Sequence, residues 1–353
     1  MKVTVYILYL SCFHVFSVLG LEERILSKVQ DAGISHDSFS YLASRMSNYM
    51  LKSRSDSTVS KYFYSFKRWE KFIVSKGGCA LPANPIHVAL YLTELLDSGN
   101  SDSVITSALY GIKWVHKTCD LQDPTDNTFV SNLVEAAKRI AVRSVKKKQP
   151  VTVDMLKSLC AKYSSSSDLL VIRDLCMILL SFCGFLRYDE ISSLRCNDIQ
   201  IFDSYLILKI KKSKTDQYRQ GDEVPISKGS SIACPLRMVL RYLEVSKQSC
   251  TSNKYLFRPV FRSGHTCALI HKDKFLSYTR ARECILGRLK EVAGDIDLGL
   301  HSMRAGGATE AANSGVNDRC WKRHGRWKSD RSKDGYVADS LECRLMVSKQ
   351  LNL

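Results

Sequence analysis

The sequence predicts a mainly α-helical protein with two domains, a helical bundle followed by a mixed α/β domain that contains a small antiparallel sheet. First, four stretches between residues 38 and 145 carry apolar residues at helical spacing, separated by polar or proline-containing breaks. Second, apolar and polar residues alternate on both sides of a lysine-rich tip within residues 205–226, which is typical of a β-hairpin. Third, a chain of 353 residues has the length of two ordinary domains.

The segment 1–37 is set apart from both domains. After Lys2 an apolar run extends to Gly20, where small residues are typical of a cleavage site, so the run resembles a secretory signal peptide. Two other interpretations stay open, an extra N-terminal helix and an incorrect gene start. No other stretch approaches the ~20 apolar residues of a membrane span, so no association with a membrane is expected.

The helical domain is expected over residues 38–145, with a short basic linker after it. Helical patterns cover residues 58–78, 87–100, 101–121 and 126–145. The aromatic residues of the first helix, among them Phe66 and Trp69, fit a bundle core better than a binding surface. The linker, residues 146–150, contains Lys146, Lys147, Lys148 and Pro150. Its lysines repel one another and its proline blocks a helix.

The second domain is expected over residues 151–353. It begins with a helix that Thr152 caps, and an almost wholly apolar helix over residues 169–185 must be buried. The β-hairpin of residues 205–226 follows. The remaining patterns predict helices over 235–248 and 275–294, a short strand over 255–260, a loop with room for a further strand over 259–274, and an amphipathic tail after Tyr336.

The charge and the cysteines indicate the class of partner and the environment. A formal net charge of +17 and a pI of about 9.3 favour a polyanionic partner, most simply nucleic acid, although a merely basic protein also fits. The 13 cysteines are scattered singly, with no CxxC pair and no Cys/His cluster at zinc-finger spacing. This distribution predicts reduced intracellular thiols and no bound metal.

The most informative stretch runs from His301 to Tyr336. His301 and Arg304 are three residues apart and share one face of a helix. Between Cys320 and Tyr336 six lysines and arginines stand against two acids, and Tyr336 follows Trp327 by nine residues. A phenol has an ordinary pKa of ~10, and nearby cations favour its ionised form. A tyrosine in this setting is therefore a candidate nucleophile for a phosphate.

Two further places in the second domain complete the candidate set. Arg187 follows directly after the buried helix, where a charge needs a partner or a function. Glu190 lies three residues further on, so it can pair with Arg187 or hold its guanidinium in place for a phosphate. At the hairpin tip Lys212 and Lys214 are candidates for a DNA contact, with a sheet edge guarded by lysines as the alternative.

These residues resemble the motifs of the tyrosine recombinase (phage integrase) family. The family order is Arg, Lys, His-x-x-Arg, His or Trp, and Tyr, which is matched by Arg187, Lys214, His301, Arg304, Trp327 and Tyr336. Gly325-Arg326-Trp327 is similar to a Gly-Arg-Trp in the eukaryotic mobile-element members, the Crypton and DIRS-type recombinases, which look closest. The resemblance covers the second domain well and the first domain loosely.

The resemblance implies a fold, a reaction and partners. Residues 38–145 would form the core-binding domain, a SAM-like four-helix unit, and residues 151–353 the catalytic domain, with the DNA breaking-rejoining enzyme fold. The implied reaction is cleavage and rejoining of DNA, in site-specific recombination or integration, through a 3′-phosphotyrosyl intermediate and without a metal or small-molecule cofactor. The implied partners are double-stranded DNA and further copies of the chain, as dimers and tetramers on DNA.

The resemblance also implies a role for each matched residue. Arg187 and Arg304 would clamp the phosphate, Trp327 would donate its indole N–H, His301 would accept the proton of Tyr336, and Lys214 would protonate the leaving 5′-oxygen. Glu190 would hold Arg187. Contacts to DNA are expected from Lys212, Arg326, Lys146, Lys147 and Lys148. An origin in a transposable element and a location in the nucleus follow from the same resemblance.

Three other functions stay open. A domesticated descendant of a mobile element would bind DNA without recombining it. A type IB-like topoisomerase would share the chemistry but relax supercoils. A secreted protein led by the apolar N-terminus would carry disulfides among its cysteines.

Overall fold

The computed structural model of this chain describes residues 20–33, 35, 39–140, 147–213, 216, 220–263 and 266–351. The chain divides into two compact units, Met1–Val145 and Lys146–Leu353, and a separate hydrophobic core lies within each. The apolar run over residues 1–19, with its open interpretations, lies outside the described residues.

The first unit is a bundle of α-helices. Its helices are α1 (Leu21–Asp31), α2 (Ser40–Lys52), α3 (Asp56–Ser75), α4 (Pro85–Asp97), α5 (Asp102–Thr118) and α6 (Thr128–Ile140). Helix α4 begins at Pro85 because the Asn84 side chain accepts the backbone N–H of Ile86 and proline suits the first turn. Phe66 and Trp69 are buried in the core as predicted, and the Trp69 indole N–H donates to the Ala80 carbonyl at 3.0 Å.

The second unit mixes helices with two small antiparallel sheets, which confirms the predicted fold class. Its helices are α7 (Val153–Lys162), α8 (Leu169–Cys183), α9 (Tyr188–Ser193), α10 (Pro235–Ser246), α11 (Tyr278–Ala293), α12 (His301–Asn313), α13 (Asp318–His324), α14 (Asp330–Asp334) and α15 (Leu341–Lys349). Its strands are β1 (Ile199–Ile201), β2 (Tyr205–Ile210), β3 (Asp222–Ser227), β4 (Val260–Ser263) and β5 (Thr266–Leu269). Among the described residues, no helix combines the length and the apolar character needed to cross a membrane.

The predicted β-hairpin is formed by β2 and β3. Their residues pair in antiparallel register, with Leu208 opposite Val224, and β1 adds a third strand on the other side of β2. Leu206, Leu208 and Ile210 are buried and alternate with more exposed residues, so the period-two pattern marks the face that covers the core. The sequence pattern thus located both long strands, while the three-residue β1 was too short to stand out.

The strand predicted over residues 255–260 is wrong. Tyr255 makes only an isolated bridge to Arg195, and a regular strand begins at Val260, where β4 pairs with β5. Leu256 and Phe257 are consecutive and both fully buried, whereas a strand would turn them to opposite faces. Pro259 also lacks the N–H that a strand ladder requires.

Helix α8 is the centre of the second unit. Almost all of its residues are buried, and it packs against α10, α11 and α12. It carries a buried charged pair, in which Arg173 Nη2 lies 2.7 Å from Asp174 Oδ1. Because a buried charge is costly without a partner, this pair is tolerable only through contacts such as the 3.6 Å approach of Arg288 Nε to Asp174 Oδ2.

Two glycines let α12 approach this central helix closely. A Cβ on Gly306 would lie 2.1 Å from the carbonyl oxygen of Val151, and one on Gly307 would lie 2.2 Å from that of Phe182. Any side chain at either position would force the backbones apart. The close approach brings the first turn of α12, with His301 and Arg304, next to the end of α8.

Candidate active site

The turn that follows α8 sets the position of Arg187. Phe185 in this turn has a φ of 47°, which is uncommon for a residue other than glycine. Arg187 becomes the cap of α9, and the Glu190 carboxylate accepts its backbone N–H at 2.9 Å and its Nη1 at 2.8 Å. The Arg187 side chain keeps 13% of its surface exposed, whereas the Glu190 side chain is fully buried.

Helix α12 carries Arg304 into the interior beside that turn. The Arg304 guanidinium is fully buried and donates to the carbonyls of Phe185 and Gly325, the latter at 2.5 Å. Its Cζ lies 4.2 Å from the centre of the Trp327 ring and 5.2 Å from the centre of the Tyr336 ring. The two rings are 5.4 Å apart. Residues from three separate parts of the unit therefore meet in one cationic and aromatic cluster.

The turn between α13 and α14 places the Trp327 ring. A Cβ on Gly325 would lie 1.7 Å from that ring, so the ring folds back over a backbone that must be glycine. The next residue, Arg326, has a φ of 57°. The Trp327 ring then packs against Phe185 and Trp321 at centre distances of 5.9 and 5.7 Å.

Helix α14 returns the chain toward the cluster and presents Tyr336. Lys333 in this helix is buried, pairs with Asp318, and lies 3.6 Å from Asp330 Oδ1 and 4.5 Å from the centre of the Trp321 ring. The backbone N–H of Tyr336 donates to the Lys333 carbonyl at 3.0 Å. One buried ammonium group therefore anchors the segment that carries the tyrosine.

Three guanidinium groups face one buried carboxylate here. Burial alone would raise the pKa of Glu190, but the charge of Arg326, and the hydrogen bond and charge of Arg187, outweigh it and lower that pKa. Burial and the neighbouring charge of Arg187 lower the pKa of Arg304 to about 9, so Arg304 remains a cation at neutral pH. The three cations exceed the single anion, so the site attracts a further anion.

Nε of Arg304 and Nε1 of Trp327 are buried N–H groups of the cluster for which the described residues provide no acceptor. A buried donor without an acceptor costs free energy. Both groups belong to side chains that the sequence predicts to contact a phosphate.

The structure distributes the other predicted residues over different environments. His301 is the first residue of α12 and is exposed, one helical turn from the buried Arg304. Lys212 lies just beyond β2 and is exposed. Lys147 and Lys148 are exposed as well, and Lys148 Nζ pairs with Asp297 Oδ1 at 2.5 Å. Lys214 and Lys146 lie outside the described residues.

Arg326 requires a correction. The sequence predicts a DNA contact for it, but the residue is 7% exposed and its guanidinium is enclosed by the protein. Nη2 donates to Glu190 Oε2 at 2.8 Å and to the Phe185 carbonyl at 3.1 Å, and Nη1 donates to the His324 carbonyl at 2.7 Å. These contacts direct the guanidinium to Glu190 and to main-chain carbonyls, whereas the predicted DNA contact assumes a side chain that faces solvent.

Several residues of the cluster were not found from the sequence. His324 is partly buried and its Nε2 lies 2.7 Å from the Cys183 carbonyl, and burial lowers the pKa of this imidazole. Thr309 Oγ1 accepts the backbone N–H of Ala338 at 3.0 Å, just beyond Tyr336. The only sequence signal for Lys333 was the pair of aspartates at positions 330 and 334. For the other two no local pattern existed.

Comparisons with known proteins agree with this arrangement. The model of the phage integrase family matches residues 149–342, which is more than half of the chain. A protein of Selenomonas ruminantium, described as an integrase/recombinase xerD homolog, is 23% identical over 333 residues, covering 91% of this chain and 94% of the relative.

Solved structures share the fold at low sequence identity. The XerH site-specific recombinase bound to a palindromic difH substrate has a TM-score of 0.54 at 14% identity, covering 84% of this chain and 78% of that one. A lambda integrase tetramer bound to a Holliday junction has a TM-score of 0.52 at 16% identity, covering 84% and 76%. The Tn1549 transposon integrase has a TM-score of 0.50 at 14% identity, covering 93% and 98%. From the family match over residues 149–342, we conclude that this chain belongs to the phage integrase family, the tyrosine recombinases.

Proposed function

We propose that this protein cleaves and rejoins DNA in site-specific recombination, with Tyr336 as the nucleophile. The Tyr336 hydroxyl oxygen attacks the phosphorus of a scissile phosphate, the bond to the 5′-oxygen breaks, and a 3′-phosphotyrosyl link forms. Attack of a 5′-hydroxyl from a partner strand then reverses the step and releases the tyrosine. The covalent link replaces one difficult step with two easier ones and conserves the energy of the broken bond.

One observation carries this proposal, the meeting of Tyr336 with Arg304 and Trp327. The Tyr336 ring lies 5.2 Å from the Arg304 guanidinium carbon and 5.4 Å from the Trp327 ring. Arg304 Nε and Trp327 Nε1 are also among the buried N–H donors that lack an acceptor among the described residues. A nucleophile beside a positive charge and spare donors suits attack on a phosphate.

The charge that develops on the phosphate in the transition state calls for fixed cations. Arg187 and Arg304 supply two planar guanidinium groups, which can bind phosphate oxygens with paired hydrogen bonds. Trp327 adds an uncharged N–H donor whose protonation does not change with pH. A donor placed where charge develops is typically worth ~3–4 kcal/mol of barrier reduction.

Two further residues would move the protons. His301, exposed at the start of α12, would accept the proton of Tyr336, since an imidazole has an ordinary pKa of ~6.5. Lys214 would give a proton to the leaving 5′-oxygen. Glu190 would keep the Arg187 guanidinium in place through their 2.8 Å contact.

Double-stranded DNA is the proposed partner, and dimers and tetramers on DNA are the proposed assemblies. The net charge of +17 supports a polyanionic partner. The exposed Lys147, Lys148 and Lys212 are candidates for phosphate contacts. The fold is shared with an integrase solved as a tetramer on a Holliday junction.

The finer identity in our proposal is a eukaryotic mobile-element recombinase of the Crypton or DIRS type, acting in the nucleus. Its support is the Gly325-Arg326-Trp327 sequence, in which the glycine makes room for the tryptophan ring.

The decisive test is a covalent-trapping assay with the wild-type chain and the Tyr336→Phe variant. The substrate is a pool of nicked DNA duplexes with randomised sequence, from which the short fragment beyond the nick is lost after cleavage. We expect a protein–DNA adduct on a denaturing gel with the wild-type chain and none with Tyr336→Phe, which keeps the ring but lacks the attacking oxygen. Tyr278→Phe, which removes the hydroxyl of an exposed tyrosine, should leave the adduct unchanged.

The other results separate the alternatives. An adduct with Tyr336→Phe would rule out Tyr336 as the nucleophile. Salt-sensitive binding by both proteins, with no adduct from any sequence in the pool, would support the domesticated DNA-binding protein instead. Sequencing of rejoined strands distinguishes recombination from topoisomerase activity, which returns each strand to its original end.

A further inference from the structure

Arg326 is a buried arginine for which the proposed chemistry has no role. Its side chain is 3% exposed, against 13% for the Arg187 side chain that shares the same carboxylate. Its guanidinium reaches Glu190 Oε2 at 2.8 Å and the carbonyls of Phe185 at 3.1 Å and Gly184 at 3.3 Å. It therefore connects the turn before Arg187 with the turn before Trp327.

Both connected turns are strained. Phe185 and Arg326 have φ values of 47° and 57°, in the left-handed region that disfavours residues with side chains. Such conformations persist only where surrounding contacts hold them, and they concentrate at functional sites. The Phe185 carbonyl accepts hydrogen bonds from Arg304 and from Arg326, so both arginines stabilise the turn at Phe185.

The charges around Glu190 show what Arg326 adds. Glu190 Oε1 accepts from Arg187 Nη1, whereas Oε2 accepts from Arg326 Nη2 and the backbone of Arg187. With Arg326 present, the carboxylate already has a buried counter-charge. Without it, Arg187, which already lies 2.8 Å from Glu190 Oε1, would be the main counter-charge of the carboxylate and would be attracted to Glu190 at the expense of a phosphate.

We propose that Arg326 is a positioning residue, which neutralises Glu190 and locks the Gly184–Phe185 turn so that the charge of Arg187 stays available to the scissile phosphate. This inference rests on the proposed function. It assigns Arg326 a role through Glu190 and Arg187, not through contact with DNA.

The experiment is a double-mutant cycle on the full chain. Arg326→Met, Glu190→Gln and the double variant are compared with the wild type, and Arg323→Met, an exposed arginine three residues away, is the matched control. Each protein is measured for melting temperature, for affinity to an intact DNA duplex, and for single-turnover covalent cleavage at saturating DNA. The DNA is a nicked duplex recovered from the randomised pool by the wild-type chain.

We expect Arg326→Met to slow cleavage by about 10- to 100-fold, the range typical of residues that orient metal ligands, with unchanged affinity for DNA. The double variant should cleave faster than Arg326→Met, because glutamine at position 190 keeps an acceptor that positions Arg187 but lacks the charge that competes with the phosphate. Arg323→Met should cleave at the wild-type rate. If Arg326→Met does not fold but the double variant does, the melting temperatures show that the charges of Arg326 and Glu190 are coupled.

Three results would overturn the inference. One is wild-type cleavage by Arg326→Met. Another is a loss of affinity of Arg326→Met for the intact DNA duplex, as for a direct phosphate contact. The third is additivity, in which the effects of Arg326→Met and Glu190→Gln simply add in the double variant. Failure of both Arg326→Met and the double variant to fold counts as the same result, because removing the Glu190 charge then restores nothing. If the wild-type chain itself forms no adduct, the proposed function fails, and the melting temperatures alone decide whether Arg326 and Glu190 are coupled.

Discussion

The Trp327 side chain combines close packing with an unused hydrogen-bond donor. Its ring contacts Phe185, Trp321 and Tyr336 at centre distances between 5.4 and 5.9 Å, and it lies over the Arg304 guanidinium. Its buried Nε1 nevertheless has no acceptor among the described residues. A substitution can therefore separate packing from hydrogen bonding. Without a ligand, only the packing of the Trp327 ring stabilises the folded protein.

Trp327→Phe should keep most of the ring packing and remove the donor. We expect covalent cleavage to slow by about 10²-fold or more, the usual cost of losing a donor to developing charge. Trp321→Phe is the matched control, since Trp321 is similarly buried in the same cluster. Single-turnover cleavage and melting temperature are measured for both. Equal cleavage by the two variants would contradict a donor role for Trp327.

The packing of helix α12 depends on close approach of its backbone more than on interlocking side chains. Gly306 and Gly307 allow it to contact the Val151 and Phe182 carbonyls, and this contact brings Arg304 to the end of α8. An amphipathic pattern is not needed for such an interface, because small residues replace interlocking side chains. The geometry of the candidate site therefore depends on the lack of a Cβ atom at Gly306 and Gly307.

Gly306→Ala should destabilise the protein by about 1–3 kcal/mol, as expected for overpacking, and should slow cleavage by displacing His301 and Arg304. The control is Gly287→Ala in α11, where an added Cβ meets nothing within 4 Å. That substitution should be neutral or stabilise the helix by about 0.5–1 kcal/mol. Denaturant unfolding and covalent cleavage measure both effects. A Gly306→Ala protein as stable and active as the wild type would refute the close-packing argument.

The charge of the whole chain bears on its affinity for DNA more than on its fold. The excess of 52 lysines and arginines over 35 acids favours a polyanion. Within the second unit many of these cations are already used in internal pairs, such as Lys333 with Asp318 and Lys322 with Asp330. The cations that remain exposed, not the total, should determine how many phosphates are neutralised.

Binding of the full chain to duplex DNA should weaken steeply with salt, because each neutralised phosphate releases counterions. For a protein with six or more phosphate contacts, the affinity should fall by about 10³-fold or more between 50 and 200 mM salt. Lys212→Gln should reduce the slope of log affinity against log salt by about one unit. Fluorescence anisotropy at several salt concentrations gives both numbers. An affinity that does not change with salt would speak against phosphate contacts altogether.

The elements found correctly from the sequence are those with a strong local pattern. The β2–β3 hairpin follows from alternation, the buried α8 from its almost wholly apolar sequence, and α12 from the spacing of His301 and Arg304. The strand expected over residues 255–260 failed because consecutive apolar residues there fill the core without forming a strand. Local periodicity predicts an element, but it does not report which neighbour covers it.

The order of the motif residues along the chain was available from the sequence, whereas their environment was not. Arg304 and His301 are one helical turn apart, yet one is fully buried and the other exposed. Arg326 lies in a basic stretch of the sequence, and such a stretch does not show whether a given side chain faces solvent or the interior. Its partner Glu190 lies 136 residues earlier, and the two meet because strained turns bring distant backbones together. The sequence shows which chemical groups are neighbours along the chain. Burial of a charge, in contrast, depends on contacts that exist only once the chain has folded.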